Sequence, residues 1–410
     1  MGNMIGSGVF LLPASLAAYR GLSIVGWILS AAGAVCLALV FARLAAFRPA
    51  SGGPYAYTRQ AYGDFAGFLV AWGYWISIWT ANAALAVAFV GYLDPFIPSV
   101  VRSPPLAAAL AVAMVWLLTA VNCRGVLNAG RVQLATTILK ILPLALIGVA
   151  GTIAFQPSHF VMSGAEGGVS RGVLATITLT LWAFLGLESA TVPAGSTDDA
   201  SRTIPRATIV GTLVTAAIYI VSTVGVMSLL DPGTLAQSTA PFADAARVLA
   251  GEYGARLVAL GAAISAFGAL NGWVMMVGQL PVAVAEDGLF PRVFARISSR
   301  RTPAVAMIVG ATLSTALVAM NYTRGLVDLF TYIILLATLS TLVPYTFCSL
   351  AGFILHRRRE GIAWSSGATA VSGLAFLYAM FAIGGAGADV VFSGFLLLMA
   401  GLPVYAWVSR

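Results

Sequence analysis

The chain reads as an all-α membrane protein with about twelve transmembrane helices, and three observations predict this. Of its 410 residues, 60% are hydrophobic and only 9% are charged, where a soluble domain carries about 25% charged residues. Apolar runs long enough to cross a bilayer, about 20 residues each, recur along the whole length. Two of these runs are interrupted by glycine, at Gly6–Gly8 and at Gly186. The interruptions lie in the first and sixth runs, a period of five spans, as expected of a five-plus-five inverted repeat with a ligand site at mid-membrane.

The first run covers 5–18. Gly6, Ser7 and Gly8 sit in it where a regular helix would want Leu or Ala, and glycine costs about 1 kcal/mol against Ala in a helix interior. A break inside a membrane frees backbone N–H and C=O groups, which are tolerable only where they line a cavity or meet a ligand. Close approach of a neighbouring helix onto small residues is the alternative. The run is short for a span, so the first helix is expected to be truncated at its N-terminus. No basic stretch precedes it, as a signal peptide would require.

The next runs fall at 24–45, 65–92, 105–121 and 127–155, and the sixth at 173–191. The remainder fall at 206–230, 254–278, 303–320, 327–354, 363–384 and 388–408. The chain is therefore a single transmembrane domain over 1–410. A first repeat occupies about 1–155, a second about 173–354, and two extra helices about 363–408. With the N-terminus in the cytoplasm, 15 arginines fall on the cytoplasmic side and 6 on the other. That bias predicts cytoplasmic termini at both ends by the positive-inside rule. The net charge of +8 is thus topological, and no nucleic-acid partner is expected. Two cytoplasmic loops, Pro49–Tyr57 and Ala285–Pro291, are turn-rich rather than plain linkers.

Cys36, Cys123 and Cys348 are isolated and His159 and His356 fall in loops, so no disulfide framework, metal site or cofactor is expected. A membrane enzyme would want clustered acids, His or Cys within the spans. Only Glu188 and Lys140 lie there, so the chain is not expected to be an enzyme. Glu188 stands beside the break at Gly186. An intramembrane carboxyl is costly and therefore functional by default, and burial makes it a candidate for proton exchange. A structural Glu bonded to the exposed backbone of the break is the alternative. Lys140, the only lysine, needs carbonyl or carboxylate partners if buried. It can dock on the freed carbonyls near Gly6–Gly8, standing where a sodium ion would sit in a sodium-coupled protein, or snorkel to the interface. Trp182, Trp273 and Asn82 are the remaining candidates inside spans. Trp rings can cap a cavity and hold a cationic or aliphatic group, or anchor at the interface.

The opening Gly2-Asn3-Met4-Ile5-Gly6-Ser7-Gly8-Val9-Phe10-Leu11-Leu12-Pro13 resembles the first motif of the amino acid–polyamine–organocation superfamily. The match is closest to its basic amino acid/polyamine antiporter branch, and within it to arginine/agmatine antiporters. It continues through Gly52-Gly53-Pro54-Tyr55-Ala56-Tyr57, Leu181–Ala190, Pro241–Arg247, Glu286–Pro291 and Leu342–Tyr345. The resemblance implies a leucine-transporter-like fold and about twenty further residues ahead of Gly2. It implies a secondary transporter of amino acids working by alternating access, an amino acid/amine antiporter of arginine/agmatine or polyamine type. Proton-coupled uptake of a neutral or aromatic amino acid is the alternative.

By the same resemblance, the backbone of Ile5, Gly6, Ser7 and Gly8 would bind the substrate carboxylate at a half-helix N-terminus. Carbonyls around Ala183–Leu185 would take the ammonium. Trp182 matches an outer gate and Trp273 a middle gate. Tyr55, Glu188 and Tyr345 match an inner gate, with Glu188 proton-sensitive. Asn82 matches an amide near the substrate side chain. Ser77, Ile78, Leu85 and the stretch near Ile334–Leu335 depart from the arginine-binding pattern toward a more apolar pocket. Lys140 resembles the fifth-helix lysine of light-chain-type and bacterial neutral amino acid exchangers. The implied partners are a small-molecule substrate, protons and the lipid bilayer of the cell inner membrane, and the pattern admits a homodimer.

Overall fold

The structure is a computed structural model. It describes every residue except 1, 7, 51, 126–128, 162–167, 193–196, 324, 359–360, 362–363 and 410, and describes 129–136 and 138 by their backbone alone. The described residues are helical throughout, joined by turns. In order they form α1 (Gly8–Leu16), α2 (Leu22–Phe47), α3 (Pro54–Tyr62), α4 (Asp64–Gly91), α5 (Pro98–Val101) and α6 (Pro104–Cys123). Then come α7 (Ala129–Ile153), α8 (Val169–Phe184), α9 (Ala200–Leu229), α10 (Pro232–Gln237) and α11 (Pro241–Glu286). The chain closes with α12 (Ala304–Asn321), α13 (Leu326–Arg357), α14 (Ser366–Gly384), α15 (Ala388–Met399) and α16 (Gly401–Val408). Among the described residues ten helical segments are long and apolar enough to cross a bilayer, and two shorter apolar ones, Gly8–Tyr19 and Leu139–Ile153, join them. The chain is a multi-pass membrane protein.

α4 is the axis of the bundle. It is apolar around its whole circumference, the mark of a helix with no solvent or lipid face, and nearly all of its apolar stretch is buried. It packs against α13, α11, α6 and α12. α14 and the α15–α16 pair lie at the rim, with only 28% and 11% of their apolar stretches covered by protein. Their exposed Phe381, Phe392, Phe395 and Trp407 are the apolar surface a bilayer requires.

Local chemistry sets the ends. Proline opens α3, α5, α6, α10 and α11, where its missing N–H costs nothing. Asp231 caps α10 through the N–H groups of Gly233 and Thr234, and Ser365 caps α14 through Ala368 N–H. Three elements differ from the expectation drawn from hydropathy. The run 254–278 is the second limb of α11, which bends at Ala250 and at Gly251 with φ +64°. The first limb, from Pro241, is too polar to register as apolar. The run 388–408 divides at Ala400, where Trp72 Nε1 donates to the Leu397 carbonyl at 2.9 Å and Gly401 admits the indole. The run 173–191 stops being α-helical at Phe184.

Candidate functional site

That stop creates half of the site. Gly186 has φ +98°, open at little cost only to glycine. The chain turns through Leu185–Glu188 and resumes as a 3-10 turn at Ser189–Thr191. The other half is residues 2–6, which form turns and a bend before α1 begins at Gly8. The two interruptions touch. A Cβ placed on Gly186 would lie 3.2 Å from Asn3 Cβ and 3.2 Å from Trp273 Cζ2. One placed on Gly8 would lie 2.7 Å from Trp182 Nε1. Glycine at these positions is what lets the broken segments and the two indoles close on one another.

A broken segment must account for its carbonyls, because buried backbone oxygens are nearly always paired. Three consecutive carbonyls in the first break are met by side chains from three helices. Lys140 Nζ donates to Gly2 O at 3.3 Å, Trp273 Nε1 to Asn3 O at 3.4 Å, and Tyr219 Oη to Met4 O at 2.6 Å. Lys140 is fully buried, so it does not snorkel. Its carbonyl partner is Gly2 rather than the Gly6–Gly8 stretch, because residues 2–4 are the part of the break that faces α7, α9 and α11.

Asn3, Met4, Gly6, Gly8, Ala81, Leu85, Trp182, Leu185 and Trp273 enclose a cavity of about 20 Å³, room for about one water. The site is closed in this conformation. Among the described residues no acid lines it. Trp182 Nε1 in this lining is buried with no hydrogen-bond partner among the described residues, a cost tolerated when a ligand supplies the missing group. Asn82 Oδ1 on α4 is likewise buried without one, but Asn82 is not among the residues that line the cavity; its neighbours Ala81 and Leu85 are. Ile5 is buried in the bend and Ala183 lies beneath Gly8. Ser7 lies outside the described residues.

Glu188 is fully buried at the far side of the second break. Its Oε1 accepts from Tyr74 Oη at 2.8 Å. Its Oε2 accepts from Tyr345 Oη at 2.5 Å and from Gly186 N–H at 3.2 Å. All three are donors, so the carboxyl ties α4, α13 and the break into one acceptor-centred cluster. Tyr55 is not in it. Its Oη donates to Asp287 Oδ2 at 2.8 Å, and Arg59 Nη1 reaches the same oxygen at 2.7 Å while its Nε pairs with Asp64 at 2.7 Å. Gly52 N–H bonds Val192 O at 3.2 Å, and Cys348 Sγ donates to Pro54 O at 3.5 Å. α3 is thereby latched to the segment that follows the second break, to the end of α11 and to the body of α13. Burial, reinforced by the Asp287 carboxylate, pushes the Tyr55 phenol above its ordinary value, and burial brings Tyr62 up to about 12. The Asp64 and Asp287 carboxylates hold the Arg59 guanidinium more firmly charged.

Sequence reasoning missed Tyr74, Tyr219 and Asp287. The two tyrosines read as ordinary core aromatics, since nothing local shows that their hydroxyls reach a carboxyl and a carbonyl more than 100 residues away. Asp287 sits in a motif that had been singled out, Glu286–Pro291, but its partner on α3 is invisible without the fold.

Known proteins fit this architecture. The amino acid permease family pattern matches residues 1–409. The chain is 35% identical over 353 residues to the cadaverine/lysine antiporter of Escherichia coli (strain K12), covering 84% of this chain and 79% of that protein. It is 31% identical to the putative arginine/ornithine antiporter of Bacillus subtilis (strain 168), over 100% of this chain and 95% of that one. It is 33% identical to the putrescine transporter PotE of Haemophilus influenzae, over 100% and 94%. Two interrupted helices meeting in mid-bundle, in a chain matched by one family pattern from end to end, make this protein a member of the amino acid permease family of the amino acid–polyamine–organocation superfamily.

Proposed function

We propose that this chain is an antiporter that exchanges an amino acid for a related amine or amino acid across the cell inner membrane, with both termini cytoplasmic. The observation that carries the reading is the contact of the two breaks at Asn3 and Gly186, beside a buried Trp182 Nε1 that has no partner among the described residues. The main-chain groups of Ile5, Gly6, Ser7 and Gly8 bind the substrate carboxylate at the start of α1. The carbonyls around Ala183 and Leu185 take the ammonium. Trp182 closes the outer side and Trp273 the middle, and Asn82 meets the substrate side chain. Residues 1–155 and 173–354 form the two repeats that rock about this point, with 363–408 appended.

Glu188, held by Tyr74 and Tyr345, is the proton-sensitive element of the inner gate, and the Tyr55 latch belongs to the same gate. Protonation removes an acceptor from a cluster that holds three donors. One tie between the break and α4 or α13 is then released, and the path toward the arginine-rich side opens. The test is radiolabel exchange in proteoliposomes preloaded with lysine, ornithine, arginine, cadaverine, putrescine or neutral amino acids. Counterflow dependent on internal substrate is the expected result, and no exchange with any of them defeats the reading. Burial of Lys140 on the Gly2 carbonyl also favours a second reading, proton-coupled one-way uptake of a neutral or aromatic amino acid. Accumulation in empty vesicles under an imposed pH gradient would select it.

A further inference from the structure

A second cavity lies at the arginine-rich end of the bundle, away from the breaks. It is about 310 Å³, the liquid volume of about ten waters. Its apolar wall is Leu39, Val40 and Leu44 of α2 and Val371 of α14. Its polar end is Arg43 and the start of α14. The arrangement is built rather than incidental. The Arg43 guanidinium lies over the Trp364 ring at 5.3 Å, Trp364 Nε1 is fixed by Thr369 Oγ1 at 2.9 Å, and His356 stacks on the same indole. Gly352 makes the seat: a Cβ there would be 2.6 Å from the indole. Among the described residues Arg43 makes no ion pair and no hydrogen bond, so its five N–H donors are uncommitted there while its guanidinium rests on an aromatic face.

We propose that this cleft binds one anionic glycerophospholipid, its phosphate on Arg43 and its glycerol and first methylenes along Leu39, Val40 and Val371. Charge complementarity selects the occupant. The cleft pairs a cation held on an indole with an apolar wall at the end of the membrane-spanning α2. The bilayer component with a phosphate of net negative charge joined to a hydrocarbon is an anionic lipid. The N–H groups of Ser366 and Gly367 in the first turn of α14, which the Ser365 cap leaves free, add donors for the same phosphate.

The experiment is native mass spectrometry of the full chain in non-ionic detergent, titrated with phosphatidylglycerol or phosphatidylcholine of matched chains. The expected result is one retained phosphatidylglycerol with about tenfold preference over phosphatidylcholine. Arg43→Gln lowers that affinity about fivefold, the size of one juxtamembrane arginine, and Arg43→Lys retains most of it. Val371→Trp, which fills the cleft without touching the charge, abolishes it, while Arg292→Gln elsewhere on the surface changes nothing. Melting temperature in the same detergent separates loss of binding from loss of fold. Equal retention of both lipids, or binding indifferent to both Arg43→Gln and Val371→Trp, overturns the proposal. Equal stabilisation by glycerol 3-phosphate would assign a free phosphate site instead, and a lipid-free dimer lost in the same variants would assign a second copy of the chain. Either result overturns it.

Discussion

Glu188→Gln tests the inner-gate reading most directly. The native carboxyl accepts from Tyr74, Tyr345 and Gly186 N–H at 2.8, 2.5 and 3.2 Å. A glutamine at this place keeps one oxygen, which can serve two of them, and presents an amide N–H to the third. A hydroxyl facing the amide can accept from it but finds no acceptor for its own O–H in a site that is fully buried. The loss is one hydrogen bond to a charged acceptor, about 1.5–3 kcal/mol, with some weakening of the other two as the charge disappears. If the closed inner gate carries that energy, its population relative to the open gate falls about tenfold to hundredfold. The assay is exchange in proteoliposomes from pH 5 to 8, with melting temperature as the control for folding. The variant is expected to lose pH dependence and to behave across the range as the parent does at its acid end. An unchanged pH profile in a well-folded variant would refute the reasoning, because the cluster would then be structural.

Other outcomes follow from the same geometry. Gly186→Ala should unfold the break: φ +98° strains any side chain, by about 1–2 kcal/mol, and the added Cβ presses on Asn3 and Trp273 at 3.2 Å. Exchange should be lost with a lowered melting temperature, and an active Ala variant would remove the break from the site. Lys140→Met leaves the Gly2 carbonyl unpaired at a cost of about 1–3 kcal/mol. The apparent affinity for substrate should fall, as measured by radiolabel competition, and unaltered affinity would separate the lysine from the first break. Tyr55→Phe should change the rate of exchange but leave its dependence between pH 5 and 8 unmoved. The Tyr55 phenol is raised above its ordinary value of about 10, so its bond to Asp287 is at full strength below that value and fades only as pH rises through the higher folded one. A shifted midpoint in the Phe variant would contradict this.

Much of this protein is legible without a structure. Hydropathy determines the spans, because a bilayer tolerates only segments that satisfy their own backbone. The glycines at 6, 8 and 186 point to the breaks, since each costs about 1 kcal/mol against Ala in a helix interior. Glu188 and Lys140 declare themselves by sitting where charge is expensive. The sequence could not say which atoms these groups would meet, because partners in a bundle are set by helix rotation and depth rather than by spacing along the chain. Only the tertiary structure decided that Glu188 is shared by Tyr74 and Tyr345 while Tyr55 goes to Asp287. It alone put Lys140, Trp273 and Tyr219 on three successive carbonyls of residues 2–4. The reason is that a hydroxyl, an ammonium and an indole N–H reach only about 3 Å. Such a distance between residues more than 100 positions apart exists only after the helices have packed.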